Sequence, residues 1–191
     1  MTLLITALGL TLCLCWTSAL TPVTSDFTLD GMEGIWYVVA MASNSESYLK
    51  ERDQWFAGLG TFTDLKDKNL LRITHNSMTP TGECFQTVSL AQPTGEPGTY
   101  VFTKNGVDHV YKIMGTVKDQ YAVIYDTNTN KATGEKRSIL LLYARDKNPS
   151  MDLLHEFRLY SLEQGIREEN MAIVLPADVK AVSTHIIPKS K

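Results

Sequence analysis

From Asp30 onward the chain is a succession of short runs rich in Val, Ile, Tyr, Phe and Thr, broken at fairly regular intervals by turn-forming clusters. Runs of that length and composition read as strands, and their even spacing fits an antiparallel sheet whose neighbouring strands are joined by short connections. The runs are Gly34–Ser43, Ala57–Leu65, Asn69–Met78, Cys84–Leu90, Thr99–Phe102, Val107–Val117, Tyr121–Thr127 and Lys136–Ala144, eight in all. Asn105-Gly106 is the sharpest of the turns, because both residues tolerate the positive φ of a two-residue hairpin. Eight strands closed up-and-down make a barrel just wide enough for one small ligand. A sandwich with a solid core fits the same pattern, and periodicity alone does not choose between them.

The period changes after the last run. Asn148-Pro149-Ser150 has the character of a helix start, Leu153, Phe157 and Tyr160 recur on one face with Leu154 beside them, and Gly165 ends the pattern. This predicts one C-terminal α-helix packed outside the sheet. Met171–Leu175, ahead of Pro176, reads as a short final strand, and from about Ala181 the chain reads as a loose tail.

At the front, the apolar run from Met1 to about Thr21 carries no charge and is too short for a comfortable membrane span, and Thr17-Ser18-Ala19 has the small residues of a cleavage site. Residues 1–20 are read as a secretory signal peptide and 21–191 as one domain, secreted and without stable membrane insertion. Removing the leader takes Cys13 and Cys15 with it and leaves Cys84 unpaired. An odd cysteine in a secreted chain implies either an inert thiol or a disulfide to a partner. One cysteine cannot build a zinc or iron–sulfur centre, and no metal or cofactor is expected. With 18 basic and 21 acidic residues and a net charge of −3, free of long runs, the chain lacks the footprint of a nucleic-acid binder.

Gly34-Ile35-Trp36-Tyr37, soon after the leader, and Leu142-Tyr143-Ala144-Arg145 near the end of the sheet together resemble the first-strand and last-strand motifs of the lipocalin family. The resemblance spans about Asp30 to Lys180 and implies an all-β fold: an eight-stranded antiparallel up-and-down barrel with one C-terminal α-helix outside. It also implies that Arg145 lies across Trp36 at the closed base, a cation–π contact that stiffens the cup. The stretches Ala42–Ser45, Tyr48–Glu51 and Asp119–Ala122 are similar to those of lipocalin-type prostaglandin D synthases and of extracellular fatty-acid and retinoid carriers.

Three departures qualify the likeness. Of the family's Thr-Asp-Tyr motif, Thr116-Val117-Lys118 keeps only the Thr. The cysteine on which the synthases depend aligns with Leu59, which cannot form a thiolate, so no isomerase or other enzyme activity is expected. Cys84 matches a barrel cysteine that relatives tether to the C-terminal segment, but the partner position holds Ala181, so the tail should be freer.

These readings give three functions. The first is extracellular binding and transport of a small hydrophobic ligand such as a fatty acid or retinoid. The second is a protein-interaction module using the barrel rim or a disulfide through Cys84, and the third a prostaglandin-type isomerase, disfavoured by Leu59. For the first, alternation along each strand nominates the wall. Leu71, Ile73 and His75 form the apolar face of one strand, and the resemblance turns Leu59 and Thr61 inward on the strand before it. Phe102, Tyr111 and Ile113 supply apolar wall, with Tyr100 and His109 nearer the entrance. The match near Tyr143 implies that Arg137, Ile139, Leu141 and Tyr143 share one face of the last strand, with Arg137 toward the open end, either as a fork for a ligand carboxylate or phosphate or as a solvated rim residue. The connection from Ser43 to Phe56, with Tyr48 and Trp55, is expected to fold over the entrance.

Overall fold

The computed structural model describes residues 21–50, 58–78 and 84–174. The leader, Trp55 and Ala57, and the tail with Leu175 and Ala181 lie outside them. Strands β2 (Gly34–Ala42), β3 (Leu59–Leu65), β4 (Leu70–Met78), β5 (Cys84–Pro93), β6 (Thr99–Lys104), β7 (Val107–Val117), β8 (Tyr121–Asn130) and β9 (Lys136–Ala144) pair in succession, and β9 returns to β2. The barrel is therefore closed, and the sandwich alternative is set aside. Each of these strands coincides with an expected run, although β5, β6 and β8 extend two or three residues further. The hairpin at Asn105 and Gly106 has φ of 49° and 76°, as the dipeptide predicts.

Two short strands supplement the barrel. β1 (Thr21–Pro22) pairs with β7 below the start of β6, and β10 (Met171–Ile173) pairs with the far end of β2. Helix α2 (Met151–Glu163) starts as its sequence directs: the Ser150 hydroxyl accepts the Leu153 N–H at 3.2 Å. It stops at Gly165, where φ is 74°. A five-residue helix, α1 (Glu46–Lys50), lies in the first connection.

Two β-bulges set which residues face the lumen. In β2 the pairing with β9 skips Val39, so Trp36 and Val38 point inward below it and Met41 above it, while Val39, Ala40 and Ala42 face outward. In β7 the skipped residue is Met114. Inside, Trp36, Phe62, Leu71, Ile73, Tyr111, Ile113, Ile124 and Tyr143 are almost wholly buried. Outside, Val39, Val123, Leu140 and Leu142 pack under Phe157 of α2, with Leu153, Leu154 and Tyr160 around it. Burying an aromatic ring of that size is worth about 2–3 kcal/mol, which holds the helix to the wall.

Candidate functional site

The lower end of the barrel is a plug. The Arg145 guanidinium lies 3.9 Å from the Trp36 ring centroid and donates to the carbonyls of Ile35 at 2.7 Å and Gly31 at 3.0 Å. Trp36 Nε1 donates to the Met32 carbonyl at 2.7 Å. Gly34 has φ of 93°, and a Cβ on it would stand 3.2 Å from the Arg145 fork, so glycine admits the arginine. The base contact that the motifs implied is present although the Thr-Asp-Tyr corner is not.

Above the plug sits a layer of rings. Phe62 meets Tyr143 edge-on with centroids 5.5 Å apart and Tyr111 at 6.3 Å. Tyr143 reaches this layer because the facing residue of β3 is Gly60: a Cβ there would lie 2.6 Å from Tyr143 Cε1. The rings fill the barrel to this level, so the lumen left for a ligand is the part nearer the mouth.

A chain of polar groups rises from that layer. Tyr111 donates to the Tyr143 hydroxyl at 3.4 Å, and the Tyr143 hydroxyl shares a hydrogen bond of 2.9 Å with His75 Nε2. Burial pushes the His75 imidazole down to about 4, against a smaller opposite pull from Asp126. The ring is thus neutral near pH 7 and meets Tyr143 through Nε2. Burial also pushes both tyrosine hydroxyls up, so each remains a donor. Closer to the mouth, the His109 ring stacks on Phe102 with centroids 4.4 Å apart, and its Nδ1 lies 3.2 Å from both oxygens of Asp126. Asn128 donates to the Tyr48 hydroxyl at 3.1 Å, which ties α1 across part of the opening.

Of the nominated wall residues, Leu71, Ile73, Tyr111, Ile113, Ile139, Leu141 and Tyr143 line the interior and are buried, and His75 and Phe102 line its upper part. Tyr111, Tyr143 and Ile113 belong to the filled layers rather than to open space. Arg137 lies on the inward row at the rim, and Glu135 grips its fork at 3.0 and 3.1 Å. His109 is near the mouth as expected. Tyr100 is not: it pairs with Tyr111 at mid-depth and is 8% exposed.

Leu59 and Thr61 require correction. Leu59 pairs with Tyr37 and Thr61 with the exposed Ile35, both on the outer face, while Gly60 and Phe62 take the lumen. The strand is one residue out of phase with the resemblance-based alignment, and a one-residue shift exchanges faces. Leu59 therefore does not hold the position of the synthases' cysteine. The inward residues of β3 are Gly60, Phe62 and Asp64, which include no thiol or hydroxyl nucleophile.

Cys84 is a free thiol, half-buried at the mouth end of β5. Sequence reading missed Asp126, Asn128 and Gly60. Tyr121–Tyr125 is apolar on both faces, which hides the phase that would have turned Asp126 and Asn128 inward. Among the described residues, no cluster of three or more His, Cys, Asp or Glu side chains is placed to hold a metal ion, and no helix is long and apolar enough to cross a membrane.

The chain belongs to the lipocalin / cytosolic fatty-acid binding protein family, whose model matches residues 33–178. It is 27% identical to a lipocalin of Rhinella marina over 159 residues, covering 82% of this chain and 85% of that protein. It is 26% identical to the prostaglandin-H2 D-isomerase of Mus musculus, covering 84% of each, and 25% identical to the extracellular fatty acid-binding protein of Gallus gallus, covering 75% of this chain and 78% of that protein. A solved structure described as "The Siderocalin Ex-FABP functions through dual ligand specificities" superposes with a TM-score of 0.69 at 23% identity, over 78% of this chain and 96% of that one, and attests the fold.

Proposed function

We propose that this protein is an extracellular carrier that holds one small hydrophobic ligand, such as a fatty acid, a retinoid or a similar lipophile, in the upper lumen. One observation carries the reading: a barrel sealed by Trp36 and Arg145 and filled to the level of Tyr143, with apolar and hydrogen-bonding groups together on the wall above. Phe102 and Ile139 supply apolar surface, and the neutral His75 imidazole offers a polar group to the ligand. Arg137 recognises a ligand carboxylate by exchanging Glu135 for it, a like-for-like swap with modest net gain. The apolar leader and the extracellular relatives support secretion.

The reading is of a binding protein rather than an isomerase, since β3 presents Gly60 and Phe62 to the lumen where a synthase needs its thiolate. Activity on an unstable lipid peroxide would overturn that part.

Native mass spectrometry of protein from its natural source, with organic extraction of bound material, tests the carrier reading. A stoichiometric lipophile is expected, together with quenching of Trp fluorescence by added retinoids or fatty acids. Failure of both would sink it.

Partial exposure of Cys84 favours a second, compatible reading: attachment to a partner by a disulfide. A Cys84-dependent species on a non-reducing gel supports it, and a clean monomer counts against it.

A further inference from the structure

Strand β5 wears its polarity inside out. In the β4–β5 ladder Leu71 faces Ala91, Ile73 faces Ser89 and His75 faces Thr87. Partners across a ladder share a face, and Leu71, Ile73 and Ala91 belong to the interior cluster, so Ser89 and Thr87 also point into the lumen. Val88 and Leu90, which alternate with them, point outward and are 40% and 52% exposed. A sheet packed on one face ordinarily turns its apolar side chains inward and its polar ones to water.

The inward groups are open to a partner. His75 meets Tyr143 through Nε2, and among the described residues no hydrogen bond reaches its Nδ1 or the hydroxyls of Thr87 and Ser89. All three residues are half-buried. The facing pair His75 and Thr87 stand about 5 Å apart at Cβ, and Thr87 and Ser89, two residues apart on one strand, about 7 Å. By contrast, His109 is engaged by Asp126, Asn128 by Tyr48 and Arg137 by Glu135. Polar groups on a half-buried wall cost free energy when an apolar ligand covers them, and the cost is removed by a ligand that hydrogen-bonds them.

We propose that the ligand lies polar end down, and that its head is uncharged and carries two or more hydroxyls, as in a glycerol monoester of a fatty acid, held by His75, Thr87 and Ser89. A hydroxyl both donates and accepts, so it matches another hydroxyl or a neutral imidazole in either sense, whereas a carboxylate only accepts. The charge that acts most strongly on the His75 ring is that of Asp126, ahead of Lys104 and His109, and it opposes an anionic head beside that ring. At the rim, Arg137 gains little by exchanging Glu135 for a ligand carboxylate, so the unpartnered groups lower down select the head. The acyl chain then runs toward the mouth past Phe102 and Ile139. This inference rests on the carrier reading and adds the class of the head and its orientation.

The test uses the full chain and three ligands that share one oleoyl chain: mono-oleoylglycerol, methyl oleate and oleic acid. Each displaces bound retinol, read by retinol fluorescence, and native mass spectrometry counts bound lipid independently. Mono-oleoylglycerol is expected to bind about tenfold more tightly than methyl oleate, and more tightly than oleic acid. Thr87→Val with Ser89→Ala removes both hydroxyls at nearly constant volume and is expected to bring the two esters within about twofold of each other. Equal affinities for the two esters in the unsubstituted chain, a comparison that needs no variant to fold, overturn the head site. Tighter binding of oleic acid assigns the head to the rim cations Lys104 and Arg137 and overturns it as well. A preference for mono-oleoylglycerol that survives the double substitution overturns the assignment to Thr87 and Ser89. In each of these cases the carrier reading stands. Failure of the unsubstituted chain to bind retinol or any of the three lipids overturns the carrier reading and the head site with it.

Discussion

The ring of Tyr143 occupies the space that a side chain at Gly60 would need, with Cε1 2.6 Å from where that Cβ would sit. The contact couples β3 to β9 across the lumen and fixes the height of the ring layer. Gly60→Ala is expected to displace Tyr143, weaken its 2.9 Å bond to His75 and cost about 1–3 kcal/mol, as overpacking does. Urea unfolding measures the loss, and the double substitution Gly60→Ala with Tyr143→Leu should recover most of it. A Gly60→Ala protein as stable as the parent removes the steric account.

Arg145 is expected to resist replacement by lysine. Its planar fork covers Trp36 while donating to three carbonyls, those of Ile35, Gly31 and Glu33, and an ammonium can do one or the other. Arg145→Lys and Arg145→Ala should each cost about 2–4 kcal/mol and expose Trp36 to solvent. A red-shifted Trp emission in the folded variants is the accompanying signature.

Stability should also fall as acid is added, through His75. The imidazole titrates at about 4 in the folded protein against 6.5 ordinarily, so between those values the unfolded chain binds the extra proton. Its contribution is fully present above about pH 6.5 and is lost as pH falls toward 4. A loss on the order of 3 kcal/mol is expected across that window. In His75→Phe the slope of unfolding free energy against pH should flatten there. An unchanged slope would assign the acid sensitivity to other groups.

The helix offers a simpler check. Ser150→Ala removes the acceptor for the Leu153 N–H and should cost about 1 kcal/mol, with Ser150→Asp restoring it. Because α2 rests on the outer wall, retinol binding should be unchanged while hydrogen exchange of the first helical turn accelerates.

Much of this architecture was legible in the sequence. Turn chemistry at Asn105-Gly106, the cap at Ser150 and the β-rich runs are local signals, and local signals survive folding. Trp36 and Arg145 were legible through the family's motifs. What stayed hidden was phase. On β3 the choice lay between Leu59 with Thr61 and Gly60 with Phe62, and the deciding fact was a ring from β9, distant in sequence. On β8 the outer face is covered by α2, so the strand's first half is apolar on both sides and carries no alternation to read. The short β5–β6 ladder, paired only at Gln92–Val101 and Pro93–Tyr100, is likewise unreadable, because no residue type announces where pairing stops.

The bulge at Val39 makes the parity of β2 a property of the whole barrel. Deleting that one residue would not merely shorten the strand. Beyond it, alanines that now let β10 and α2 lie close would turn to the lumen, and Met41 would be driven under the helix. Homologues that vary in length at this strand should therefore do so in compensated steps, with the counting error absorbed before Ala42.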